Sequence, residues 1–177
     1  MSAGAPPRVL LFGMMGVGKT TVGRLLAAHL GWRHVDVDDE VVRTAGRSID
    51  ELWRHGGEAA FRAAERAALA DVLDGDGPAV VSVGGGAPLA EDNRARMRAA
   101  GINVWLRART ATLVERIGSG GGRPLLADDP GGAVARLAVE REPSYAGLAD
   151  VVVDVDGRTP EEVVELVAAA IPQVSRA

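Results

Sequence analysis

The sequence predicts a three-layer α/β fold: a five-stranded parallel sheet with helices on both faces. Short β-branched runs alternate with longer helical stretches along the chain, the alternation that a parallel sheet with crossover helices imposes. Several of the short runs are nearly all apolar, as strands covered on both faces must be. A hydrophobic content of 47% in 177 residues is enough for one core in one domain, here residues 1–177. With only 3% aromatics, that core must be built mainly from Val, Leu and Ala.

Taken in order, the first strand is Val9–Phe12. It runs into Gly13-Met14-Met15-Gly16-Val17-Gly18-Lys19-Thr20, a complete G-x-x-x-x-G-K-[ST] sequence, and a helix over Thr20–Leu30 follows. Strand, loop and helix in that order are the context in which this motif cradles phosphates. Its glycines let backbone N–H groups curl around the anion, and the helix N-terminus adds partial positive charge. Lys19 is placed to reach the β- and γ-phosphates, and the Thr20 hydroxyl to ligate Mg²⁺.

The second strand, His34–Val37, ends in Asp36-Val37-Asp38-Asp39-Glu40. Two apart on a strand, Asp36 and Asp38 would share a face, beyond the carboxyl end where ligands of open α/β sheets bind. One could help hold Mg²⁺ and the other accept a proton from a substrate hydroxyl. The same acids also suit the start of a helix, whose dipole they complement; Asp39 and Glu40 are expected in that role. A helix over Glu58–Leu73 comes next. The third strand, Val80–Val83, leads into Gly84-Gly85-Gly86, which fits backbone approaching a ligand closely and fits a plain glycine turn as well.

Helix Ala90–Ala100, strand Asn103–Leu106 and helix Ala111–Ile117 follow. The tract Gly118-Ser119-Gly120-Gly121-Gly122 before Arg123-Pro124 reads as a mobile loop, one that could bring the Arg123 cation onto a transferring phosphoryl group. The chain closes with helix Gly132–Glu142, strand Val151–Val155 and helix Pro160–Ala170. Thr159 suits the cap of that last helix and Pro160 its first turn.

Composition narrows the function classes. Twenty basic against 24 acidic residues give a net charge of −4, which disfavours broad attraction to nucleic acid. There are no cysteines, so disulfides and cysteine–zinc sites are excluded, in keeping with a cytoplasmic setting. No signal peptide is visible, and no run approaches the ~20 apolar residues of a membrane span. His29, His34 and His55 lack metal-ligand spacing and are expected in structural or surface roles. Trp32, Trp53 and Trp105 are expected in or beside the core. Taken one at a time, Arg62, Arg123 and Arg141 look like ordinary solvated arginines.

In combination the pieces resemble the shikimate kinase family from Val9 to about Ala170. The matching stretches are GMMGVGKTTVGRLLAAHLG, VDVDDEVVRTAGRSIDELWRHGGEAAFRAAE, GGGAPL, GRPLL, EREPSYAGLADVVVD and GRTPEEVV. The phosphate loop alone is shared very widely; the order of all these motifs points to the family. The resemblance implies a P-loop NTPase fold like that of the nucleoside monophosphate kinases, with a substrate-binding helical region near 38–65 and a lid near 115–128.

It further implies ATP-dependent phosphorylation of shikimate to shikimate 3-phosphate, a step toward chorismate and the aromatic amino acids. ATP would be held by Gly16, Val17, Gly18, Lys19, Thr20 and Thr21, with Arg116 packing on adenine. Arg158 would lie in the adenine-side loop with Pro160, and Arg123 would close on the phosphates from the lid. A single Mg²⁺ would be held by Thr20 and, through water, by Asp36. Asp38 would hydrogen-bond the substrate hydroxyls and take the proton of the attacking one. Arg62 and Arg141 would grip the carboxylate, in a fork that lysine cannot copy. Gly84, Gly85 and Gly86 would line the substrate, with Phe61 and Trp53 as apolar walls. The small-molecule partners would be shikimate and ATP, with no nucleic acid and no membrane, and the chain would act as a monomer.

The sequence departs from the family pattern at Trp53, where phenylalanine is usual, and at Val83, where threonine is common. It departs again at Ala63, often a second arginine, and in the glycine content of the lid. Other readings are a gluconate-type acceptor, a nucleoside monophosphate acceptor, and a nucleotide-binding module without turnover. The last would be expected to lack the lysine, the acid or the lid arginine, and all three are present.

Overall fold

A computed structural model describes residues 7–118 and 129–171. Five strands, β1 (Arg8–Phe12), β2 (Arg33–Asp36), β3 (Ala79–Ser82), β4 (Ile102–Arg107) and β5 (Val151–Asp154), form one sheet in the order β2-β3-β1-β4-β5. Every pairing is parallel. The helices are α1 (Lys19–Leu30), α2 (Val37–Ala45), α3 (Ile49–Asp74), α4 (Glu91–Ala100), α5 (Thr110–Ile117), α6 (Pro130–Leu148) and α7 (Pro160–Ala170). All five residues of β1 are buried, so the sheet centre is covered on both faces. The expected fold class is borne out.

The core is aliphatic as the composition requires. Leu10, Leu11, Val80, Val81, Val104 and Leu106 are buried at the sheet centre. Tyr145 inserts edge-on between Phe12 and Trp105, with ring centroids 5.4 and 5.6 Å away, an arrangement aromatic quadrupoles favour. Trp32 and Trp53 are partly buried against this core.

The connectivity creates the functional crevice. From β1 the chain runs outward to β2, returns to β3 beside β1, and then crosses to β4 on β1's other side. The point where strand order reverses is the place where open α/β sheets leave room for a ligand. In register, Ser82 stands level with Leu11 on one side and Asp36 on the other. The ends of β1, β2 and β3 therefore open on a common edge.

Most boundaries fall within one or two residues of the sequence expectation; the end of β2, the stretch from Val37 to Gly57 and the end of α6 differ in kind. β2 ends at Asp36 rather than Val37, because the Asp36 side chain accepts the Asp38 N–H and caps α2. Local side-chain capping wins over strand continuation here. Asp36 and Asp38 are thus a cap and a first-turn residue, not two positions on one strand face. The helix expected from Glu58 is present as the second part of α3, and a further helical segment precedes it from Ile49, behind a Ser48–Glu51 capping box. The two segments meet at Gly57, whose φ of 66° and ψ of −166° are not helical and suit glycine alone. α6 continues past Glu142 through Pro143 to Leu148. A proline there removes one helix hydrogen bond, but burial of Tyr145 and Leu148 anchors the following turn.

Candidate active site

The phosphate loop joins β1 to α1. Gly18 caps α1 with φ 101°, a left-handed conformation that turns the loop into the helix N-terminus. The Lys19 ammonium folds back over the loop, donating to the carbonyls of Gly13 (2.9 Å) and Met14 (3.0 Å). The Thr20 hydroxyl donates to Asp36 Oδ2 at 2.6 Å. Its one proton is engaged there, which leaves its lone pairs to accept or to ligate.

A cleft of about 330 Å³ opens above this loop, lined by Gly16, Gly18, Lys19, Thr20, Thr21, Asp36, Asp38, Gly84 and Arg116 among others. Val17 lies buried beneath, and its carbonyl accepts from Arg116 Nη1 at 3.3 Å. No group of three or more His, Cys, Asp or Glu side chains among the described residues could cage a metal alone. Thr20 and Asp36 instead offer two hard oxygen groups. That matches Mg²⁺, which takes one or two carboxylates and completes its shell with phosphate oxygens and water.

Asp38 closes the far side of the cleft. Its Oδ1 is buried and has no hydrogen-bond partner among the described residues. Burial first, then Asp36 and Glu65, raise its pKa to about 6 against the opposing pull of Lys19 and Arg62. A carboxylate held near neutral pH with an unpartnered oxygen is equipped to receive a proton.

Next to it stands a cluster of charges that the sequence scatters over two elements, α3 and α6. On α3, Arg62 pairs with Glu65 at 2.7 Å and with Glu58 at 3.4 Å, and its guanidinium sits 5.0 Å from the Phe61 ring centroid. Phe61 in turn stacks on Trp53 at 5.8 Å, so the two expected wall residues stand together. Glu65 is buried, and burial lifts its pKa although Arg62 and Arg141 pull it down. On α6, Arg141 is 2% exposed and makes no salt bridge among the described residues; its Nε is buried without a partner. A buried guanidinium in no direct ion pair, with an unpartnered Nε, leaves a place for an anion.

The three glycines explain how these groups converge. A Cβ on Gly84 would overlap Glu65 Oε1, one on Gly86 would overlap the Arg62 guanidinium, and one on Gly85 would lie 2.7 Å from Arg141 Nη1. Close approach by side chains, more than turn geometry, is what requires glycine here. Tyr145, one turn beyond Arg141, donates to the Gly85 carbonyl at 2.6 Å and holds the loop in place.

The other expected site residues are placed as follows. Arg158 is exposed, with its Nε on the Asp154 carbonyl (3.0 Å), and is not among the residues lining the cleft. Arg123 and most of the expected lid lie outside the described residues. Glu65, Tyr145 and Ser82 received no role in the sequence reading. Glu65 at i+3 from Arg62 and Tyr145 at i+4 from Arg141 were open to the rule that such helix pairs share a face. Ser82 left no such signal.

The shikimate kinase family model matches residues 15–172. A shikimate kinase of Stenotrophomonas maltophilia (strain R551-3) is 46% identical over 154 residues, 86% of this chain and 85% of that one. A shikimate kinase of Thermobifida fusca is 41% identical over 166 residues, 94% of this chain and 95% of that one. Among solved structures, a shikimate kinase from Acinetobacter baumannii in complex with shikimate superimposes with a TM-score of 0.88 at 30% identity, covering 93% of this chain and 92% of that one.

Proposed function

The chain belongs to the shikimate kinase family, and from that premise we propose how its residues divide the work of the reaction. The enzyme transfers the γ-phosphoryl group of ATP to the 3-hydroxyl of shikimate, giving shikimate 3-phosphate and ADP. The observation that carries the assignment of roles is the Asp38 carboxylate. It is buried, has an unpartnered oxygen, and lines the same cleft as Lys19 and Thr20.

In this reading Arg62 and Arg141 grip the shikimate carboxylate, while Trp53, Phe61 and Gly84–Gly86 wall the ring. Asp38 accepts the proton of the 3-hydroxyl as that oxygen bonds to the γ-phosphorus. The bond from phosphorus to the bridging oxygen breaks, and its electron pair leaves with ADP. Lys19 moves from the Gly13 and Met14 carbonyls onto the phosphates, and the loop N–H groups of Gly16–Thr21 hold them in line. Most of the rate comes from this alignment and charge neutralisation. Thr20 and Asp36 would hold a single Mg²⁺, which when bound neutralises phosphate charge. Arg116 and Arg158 are assigned to the adenine side and Arg123 to the phosphates.

Every role falls to one chain, as a monomer requires. Dependence on ATP and the absence of cysteines fit a cytoplasmic enzyme, and no helix among the described residues is long and apolar enough to cross a membrane. The deciding experiment is ADP release from Mg·ATP with shikimate, gluconate, AMP or no acceptor. Rapid turnover is expected with shikimate alone. Turnover with gluconate or AMP instead would overturn the roles given to Asp38, Arg62 and Arg141.

A further inference from the structure

His34 stands in β2, behind the cleft. Its Nε2 is 2.9 Å from Ser82 Oγ, and that hydroxyl donates to the Lys19 carbonyl at 3.1 Å. The imidazole fits under α1 because position 23 is glycine. A Cβ there would come within 2.6 Å of His34 Nε2 and 2.7 Å of Ser82 Oγ. A serine hydroxyl carries one proton. With that proton directed at the Lys19 carbonyl, the contact with His34 requires Nε2–H to be the donor. The donors therefore run one way, from His34 to Ser82 to the backbone of Lys19.

We infer that His34 and Ser82 are positioning residues that fix the first turn of α1, and with it Lys19 and Thr20, to the ends of β2 and β3. The inference rests on the reading above that Lys19 and Thr20 serve the nucleotide phosphates. Asp36 and Ser82 are register partners, so the Thr20–Asp36 bond and the Lys19–Ser82 bond are adjacent ties on consecutive residues. One holds a side chain and the other a carbonyl, and His34 supports the second from behind. Alignment of the phosphates with the acceptor is sensitive to displacements of about 1 Å, so loosening this turn acts on the nucleotide side of the reaction.

The test compares His34→Phe, His34→Gln, Ser82→Ala and the His34→Phe/Ser82→Ala double variant in steady-state kinetics, with Lys19→Ala as control. Loss of one neutral hydrogen bond predicts about a fivefold fall in kcat/KM for Mg·ATP in His34→Phe and in Ser82→Ala. The KM for shikimate should stay within about twofold of wild type, and the double variant should match the worse single one, as coupled residues do. The glutamine amide can donate from the same place and should restore activity to within about twofold. Long-range ¹H–¹⁵N correlation should show the His34 proton on Nε2.

A proton on Nδ1, multiplicative losses in the double variant, or His34→Gln no better than His34→Phe would each overturn the inference. Wild-type kinetics in all four variants beside an inactive Lys19→Ala would also overturn it and leave the kinase reading standing. An active Lys19→Ala would instead overturn the reading on which the inference rests.

Discussion

The guanidinium of Arg62 lies in the space that a Cβ of Gly86 would occupy. A helix of one region and a strand-end loop of another are fitted together with no room for one more methyl group. Gly86→Ala should therefore push Arg62 off its position between Glu65 and the Phe61 ring without touching the phosphate loop. The expected result is a rise of about tenfold or more in the KM for shikimate, with the KM for Mg·ATP within about twofold. An unchanged shikimate KM would show that Arg62 does not contact the acceptor.

The paired arginines make a second test. Arg62→Lys and Arg141→Lys each keep the charge and lose the planar fork. Loss of a charge-assisted, bidentate contact costs on the order of 2 kcal/mol, about thirtyfold in shikimate KM. Arg141→Lys should be the more damaging, because Arg141 is buried and the shorter ammonium would leave its site unfilled. Nucleotide affinity, read by ADP titration, should be spared in both.

Asp38 predicts a pH dependence. With a pKa of about 6, the carboxylate is protonated and unable to act as a base below that value, so kcat should rise through a limb near pH 6 and level off above it. Asp38→Asn should abolish turnover. The same shift fixes a stability effect. The unfolded chain ionises this group near 3.8 and the folded chain near 6, so the folded state loses stability as pH rises between those values. Asn removes that cost. The difference between those values sets an upper bound of about 3 kcal/mol on the gain at pH 7, so the variant should be more stable, seen as a Tm several degrees higher. An inactive variant with a lower Tm would contradict the raised pKa.

Lys19→Ala should reduce kcat at least a hundredfold with Mg·ATP in excess, while the KM for shikimate changes little. Retained turnover would mean that the phosphates bind elsewhere. Circular dichroism should remain that of wild type, because the Gly13 and Met14 carbonyls that the lysine ammonium donates to belong to the loop and not to a helix or strand.

Much of this arrangement was legible in the sequence. Apolar runs such as Val9–Phe12 and Val80–Val83 marked central strands because burial on both faces removes alternation. The phosphate loop was legible because its glycines, lysine and threonine are needed at fixed offsets. Two limits were physical. Asp36 reads equally as a strand residue or a helix cap, and only the position of Thr20, reached through the tertiary fold, decides which neighbour its second oxygen takes. Pro143 reads as a helix stop because local rules carry no information on Tyr145 filling the space between Phe12 and Trp105. In the acceptor site, Arg62 and Arg141 were assigned through family resemblance. What marks them in the structure, the match of each to a missing Cβ in the glycine loop, spans residues far apart in the chain.

The strand that presents the phosphate loop precedes both of its neighbours in the chain, yet stands between them in the sheet. As the polypeptide leaves the ribosome, β1 and its loop emerge early but gain their hydrogen-bonding partners only when Ala79–Ser82 and then Ile102–Arg107 have followed. Non-local pairing of this kind delays folding until the distant segments arrive. A nascent chain arrested before β4 should be unable to hold ATP, and one arrested before Arg141 should lack the buried cation proposed to grip the acceptor carboxylate. The order of the strands thus makes the phosphate loop wait for its supporting sheet on segments far downstream.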